Sequence, residues 1–195
     1  MTTETSPSCA TDRPLRADAR RNHERILESA RIVFAQAGAD AQIDDVARHA
    51  GVGVGTVYRH FPTKEALLAE LVRQKFRLFA DRARDALAAD GEPFELIEAL
   101  MRRNAETAAS DAGMQYALAS AGEQSWTWAQ AEQDELLALT AELIERARGA
   151  GTIRPDVHAT DIGMLMCGVC STMGARPDFD WRRHLDLVID ALRAH

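Results

Sequence analysis

The stretch IDDVARHAGVGVGTVYRHF, Ile43 to Phe61, decides the fold. Val46, Ala47 and Ala50 give a first short helix one apolar face. Gly51 ends it, because glycine adopts the permissive backbone of a tight turn at little cost. Val52 packs back beneath that turn, and a second short helix runs from about Gly53 to His60 with Val57 as its buried anchor. Two short helices meeting at a glycine turn form a helix-turn-helix. The second helix leaves Val54, Gly55, Thr56, Tyr58, Arg59 and His60 outside. That face carries no carboxylate, as suits a helix lying against phosphates and base edges.

The rest of the chain reads as helix. A first helix is predicted from about Asp18 to Ala37, its apolar positions (Ile26, Leu27, Ala30, Val33, Phe34) spaced by three and four. Gly38 ends it, and Asp40 is the expected N-cap of the helix that follows. Pro62 closes the recognition helix. Thr63 then caps a long helix to about Ala89, long enough to start beside DNA and end deep in a second domain. Further helices are expected at 93–110, 114–121, 129–148, 159–174 and 180–194, with breaks at Asp111 and Gly113 and a loop at 122–127. No strand-like alternation or internal repeat interrupts this pattern, so the fold class is all-α.

At 195 residues the chain has room for one large or two small domains, and 46% apolar with 27% charged residues is a globular composition. No run of about 18 apolar residues suggests a membrane span. The N-terminal residues lack the apolar core of a secretory signal, and a cytoplasmic protein is expected. Residues 1–17, rich in Thr, Ser and Pro, read as a flexible arm. Cys9, Cys167 and Cys170 are too few for a disulfide framework. The net charge of −7 is unevenly placed: residues 1–65 hold 9 basic and 9 acidic side chains, and residues 66–195 hold 14 and 21. An arginine cluster, Arg13, Arg16, Arg20 and Arg21, lies in the neutral part. Such polarity fits a protein that meets DNA with one end only. There is no Gly-x-Ser-x-Gly, His-Glu-x-x-His, Walker loop or Rossmann fingerprint, so neither an enzyme, a cofactor nor a metal is expected.

The run AGVGVGTVYRHFPTKEALL, Ala50 to Leu68, resembles the DNA-binding signature of the tetracycline-repressor (TetR) family of bacterial transcription regulators. The closing segment AGTIRPDVHATDIGMLMCGVC, with HLDLVIDALR after it, looks more loosely like the C-terminal domain of an actinobacterial-type branch. The resemblance implies a three-helix DNA-binding head within residues 18–78 and a C-terminal ligand-binding and dimerisation domain in 79–195. It implies that Thr56 and Tyr58 reach DNA, that His60 and Lys64 hold phosphates, and that Val54 and Gly55 stand where the family varies its base readers. Arg20 and Gln42 complete the expected DNA-facing set; for Tyr58, a core position is the other reading. Met101, Met114, Tyr116, Trp126, Trp128 and Met164 are candidates for lining a pocket, since Met and aromatic side chains adapt to apolar ligands; ordinary core packing is the alternative for each. Cys167, Cys170, Leu185, Val188, Ile189 and Leu192 are the expected dimer face, the last two helices pairing with their copies. Cys167 and Cys170 read as small interface residues, with a thiol sensor or a metal pair as alternatives. The expected partners are a palindromic double-stranded operator, a second copy of the chain and an unidentified small-molecule effector, with no membrane. The expected function is a repressor released by that effector. A regulator under redox or protein-partner control is the second reading, and a helical enzyme or carrier the third.

Overall fold

The computed structural model describes residues 12–173 and 178–194. Among these the regular secondary structure is helical, apart from one isolated bridge between Ile153 and Arg193. Helix α1 spans Asp12–Ala37 and ends in a single 3-10 turn, Gly38–Asp40. Helix α2 is Ile43–Ala50, α3 is Val54–His60 and α4 is Lys64–Ala88. The C-terminal part adds α5 (Pro93–Ser110), α6 (Ala112–Ser120), α7 (Glu123–Trp128), α8 (Gln130–Gly149), α9 (Ala159–Thr172) and α10 (Trp181–Leu192). No helix among the described residues is long and apolar enough to cross a membrane.

Two apolar cores organise these helices. The head core joins Ile26, Leu27 and Phe34 of α1, Val46 and Ala47 of α2, Val57 of α3, and Leu67, Leu68 and Leu71 of α4. The C-terminal core joins Ala83 of α4 with Phe94, Ile97, Leu143, Ile144, Val169, Leu185 and Ile189. Helix α4 therefore contributes side chains to both. Its 25 residues span about 37 Å at a rise of ~1.5 Å per residue.

Several local expectations are corrected. Helix α1 begins at Asp12, so residues 12–17 are helical rather than part of an arm; the rest of that arm, with Cys9, Gly174 and His195, lies outside the described residues. Gln42, not Asp40, is the N-cap of α2: Asp40 is absorbed in the 3-10 turn, and the Asp45 carboxylate accepts the Gln42 N–H at 3.2 Å. Asp111 caps α6 by accepting from the Met114 N–H at 2.8 Å, and Gly113 lies inside that helix instead of breaking it. A Cβ on Gly113 would fall on the Arg31 backbone, so this glycine is where α6 meets α1. Most of the loop expected at 122–127 is instead α7, Glu123–Trp128, which the carboxylate-bearing Glu123 opens.

Helix α6 belongs to the head core. Met114 and Ala117 are buried there, and the Tyr116 ring stacks on Phe34 with centroids 5.5 Å apart. Met114 and Tyr116 thus pack against α1 instead of lining a pocket in the C-terminal core. Leu185, Val188, Ile189 and Leu192 are buried in the protomer's own C-terminal core, because their stripe on α10 is the one that closes that core.

Candidate nucleic-acid interface

The turn between α2 and α3 is built by backbone geometry. Gly51 adopts φ +63°, which L side chains rarely take. That lets the Val52 N–H reach the Ala47 carbonyl at 3.1 Å. The Arg25 guanidinium donates to the Ala50 carbonyl and ties α1 to the end of α2. Gly53 then caps α3 with its carbonyl alone, 2.8 Å from the Thr56 N–H. Val57 is fully buried and anchors the helix.

With Val57 facing inward, α3 presents Val54, Gly55, Tyr58 and Arg59 to solvent, with Thr56 and His60 half-buried. Tyr58 is 46% exposed and takes no part in the core. Arg59 folds back so that its Nε donates to the Gly55 carbonyl at 3.1 Å. Beside this helix is an open concavity of about 520 Å³ bordered by Gln42, Ile43, Asp44, Asp45, Tyr58, Pro62, Thr63 and Lys64. The Asp45 carboxylate there is already engaged by Arg48 at 2.9 Å. Gln42 is exposed, its amide donating to the Asp40 carbonyl at 3.0 Å. Arg20 is exposed on α1, 3.8 Å from Glu24.

Two expected phosphate ligands make contacts within the protein. His60 lies against His23 and Phe61, with ring centroids 5.7 and 6.2 Å away. Burial, then the charges of His23 and Arg59, hold its imidazole below the usual histidine range. Lys64 is turned toward the protein: its ammonium donates to the Ala39 carbonyl at 3.1 Å and the Ala41 carbonyl at 2.8 Å, over the Phe34 and Tyr116 rings. In this arrangement it ties α4 to the loop before α2.

The other candidates do not converge. Met101 is buried in the C-terminal core, Trp128 is exposed at the end of α7, and Met164 is 66% exposed on α9. Trp126 packs on Phe76 with centroids 6.1 Å apart and donates from Nε1 to the Ala121 carbonyl. Cys167 is exposed and Cys170 half-buried, both as free thiols; burial pushes the Cys170 thiol up, away from the reactive thiolate. Among the described residues no cluster of three or more His, Cys, Asp or Glu could hold a metal ion. Sequence reasoning missed Arg25, Asp45 and Asp111. The Gln42-x-x-Asp45 spacing and the Asp before α6 were the available signals.

A buried Val57, a left-handed glycine turn and a carboxylate-free outer face make this a helix-turn-helix DNA-binding domain, and the protein a DNA-binding transcription regulator. Residues 26–71 match the model of bacterial regulatory proteins of the tetR family, and residues 92–194 match the C-terminal domain of SbtR-like transcriptional regulators. The chain belongs to the TetR family of transcriptional regulators. A crystal structure of a TetR regulatory protein from Mycobacterium vanbaalenii is 39% identical, covers 93% of this chain and 100% of its own, and superposes with a TM-score of 0.65. The TetR regulator SCO0520 from Streptomyces coelicolor is 35% identical over 88% of this chain and 98% of its own, with a TM-score of 0.61. The transcriptional repressor KstR of Mycolicibacterium smegmatis is 33% identical over 79 residues, which are 40% of this chain and 39% of that protein.

Proposed function

We propose that this regulator is a cytoplasmic, homodimeric repressor that binds a palindromic operator and is released by a small molecule taken up in its C-terminal domain. Its activity is binding, with no catalytic step. The observation that carries the reading is α4: Leu67, Leu68 and Leu71 are locked in the head core and Ala83 in the C-terminal core of one unbroken helix. A ligand that favours another pose of α4 must also move the recognition helix. The shift it can drive is limited to its difference in affinity for the two poses.

Two half-sites of a palindrome face the same groove side when centred about 34–36 Å apart, or a multiple of one turn. That requires two heads related by a twofold axis. The support for such pairing is an exposed stripe on α9, Gly163, Met164, Cys167 and Ser171, together with Leu187 of α10, which is 58% exposed. A Cβ at Gly163 would meet nothing within 4 Å, so a second helix has room to approach there. Tyr58, Thr56, Val54 and Gly55 would meet base edges and Arg20, Gln42 and His60 the phosphates. Val54 and Gly55 offer methyl contact and close backbone approach, not a bidentate base contact, so DNA shape carries part of the specificity.

The test is selection from random duplex DNA by the purified chain at two salt concentrations, beside a Tyr58→Ala, His60→Ala double variant. Enrichment of one palindrome by the wild type alone, weakening steeply with salt, is the expected result. Enrichment of the palindrome by both proteins would remove Tyr58 and His60 from the contacts, and enrichment of non-repeated sequences only would remove the dimeric-operator reading.

A further inference from the structure

Lys75 occupies an inward position of α4, one turn after Leu71 and one before Phe79, where helical spacing calls for an apolar residue. The side chain is 8% exposed. Glu132, a buried carboxylate in the same part of the molecule, is met by Arg73 at 2.8 Å. Lys75 has no such partner: among the described residues its ammonium makes neither a hydrogen bond nor an ion pair. Its neighbours are the Phe79 ring, with the centroid 5.2 Å from Nζ, and more distantly the thiols of Cys170 and Cys167 and the Asp111 carboxylate. Asp111 is committed elsewhere, capping α6 through Met114 and lying 3.9 Å from Arg31.

A largely buried lysine whose ammonium is met only by a ring face is a costly structural choice, since leucine or methionine would fill the same stripe at no electrostatic cost. Burial accordingly pulls the Lys75 pKa down, and nothing packed around it reverses that. The same features suit a receptor. An anion brought to this point gains a charge-assisted hydrogen bond in low dielectric, and the Phe79 ring beside the ammonium offers an apolar contact to the body attached to that anion.

Building on the effector reading above, we infer that Lys75, on α4 between the two cores, is an anion receptor, and that the ligand class is an apolar monocarboxylate whose acid group pairs with the Lys75 ammonium. One unmatched positive charge calls for one negative charge. The ammonium is on the helix that joins the two cores, so filling the site acts on α4 directly.

The experiment is calorimetric titration of the full chain with octanoate, decanoate and dodecanoate beside the matching alcohols, for wild type, Lys75→Met and Lys75→Arg, with melting curves and operator affinity for each. Wild type is expected to bind a carboxylate at least ~10-fold tighter than its alcohol, the increment of one charge-assisted bond. Lys75→Arg should keep the preference. Lys75→Met should lose it while melting about 3 °C higher without ligand, because an uncompensated buried charge has been replaced by an isosteric apolar chain. The inference is overturned if wild type binds none of the carboxylates, if acid and alcohol bind alike, if Lys75→Met keeps the preference, or if Lys75→Met melts lower. Carboxylate preference with unchanged operator affinity would uphold the receptor and remove the release mechanism. Release by a neutral compound, equal in wild type and Lys75→Met, would do the reverse.

Discussion

His60 gives opposite pH dependences to folding and to DNA binding. Its imidazole is held below the unperturbed value of 6.5 by burial, His23 and Arg59. As pH falls through 6.5 the unfolded chain takes up this proton before the folded head does. The head is therefore less stable below that value, and the loss ends once the folded form is protonated too. A DNA phosphate beside the ring acts the other way and favours the imidazolium. Between pH 7.5 and 6, operator affinity should rise about 2–5-fold more in wild type than in His60→Gln, by fluorescence anisotropy at fixed salt; equal slopes would remove His60 from the phosphate contacts. Tyr58 makes a plainer case, because it is exposed and outside the core. Tyr58→Ala should cost about 1–3 kcal/mol of operator binding and leave the melting temperature unchanged. The sequence showed which of these side chains share the outer face of α3, because helical spacing and one buried valine determine that. It could not show that Lys64 turns inward, since the two carbonyls that hold it belong to a loop over twenty residues away.

Helices α4, α6 and α8 carry the connection between head and C-terminal core. Gly113 lets α6 lie against the α1 backbone at Arg31. Gly113→Ala should cost about 1–3 kcal/mol by forcing the helices apart, and should weaken operator binding by moving α1; an unchanged urea midpoint would deny the close approach. Arg73 of α4 bridges Glu70 at 3.1 Å and Glu132 of α8 at 2.8 Å. Burial is the largest single influence on Glu132 and works against its ionisation, but the Arg73 hydrogen bond, a backbone hydrogen bond and the charges of Arg73 and Arg77 together outweigh it and keep the carboxyl below its usual range. Arg73→Met strands that carboxylate, with one oxygen already unpartnered. Since Arg73 itself is partly solvated, the loss should be about 1–2 kcal/mol, below that of a fully buried pair. Lower stability at pH 7 that recovers partly near pH 4.5, where Glu132 can protonate, is the expected signature. The long helices were legible because three- and four-residue spacing persists over several turns. α7 was not, since six residues carry no period, and Gly113 reads alike as a breaker or as a point of close approach until its neighbour is known.

The proposed twofold assembly rests on a distinction between two stripes of the last helices. Leu185 and Ile189 of α10 are each 2% exposed and close the protomer's own core, whereas Leu187 and Met164 project outward. Apolar spacing alone could not separate them, because a helix between its own core and a second copy is apolar on both sides. Substitution does separate them. Leu185→Ala opens a cavity and should cost about 2–5 kcal/mol of protomer stability. Met164→Glu combined with Leu187→Glu adds four like charges across a symmetric interface and nothing unfavourable to the isolated protomer. The double variant should sediment as a monomer with an unaltered helical spectrum. It should lose operator binding far more than half-site binding, because two linked heads bind at an effective concentration that free heads lack. A double variant that still sediments as a dimer would exclude this stripe as the contact. Operator binding by a proven monomer would mean that each head reads its half-site alone, and α4 would then have no second head to reposition.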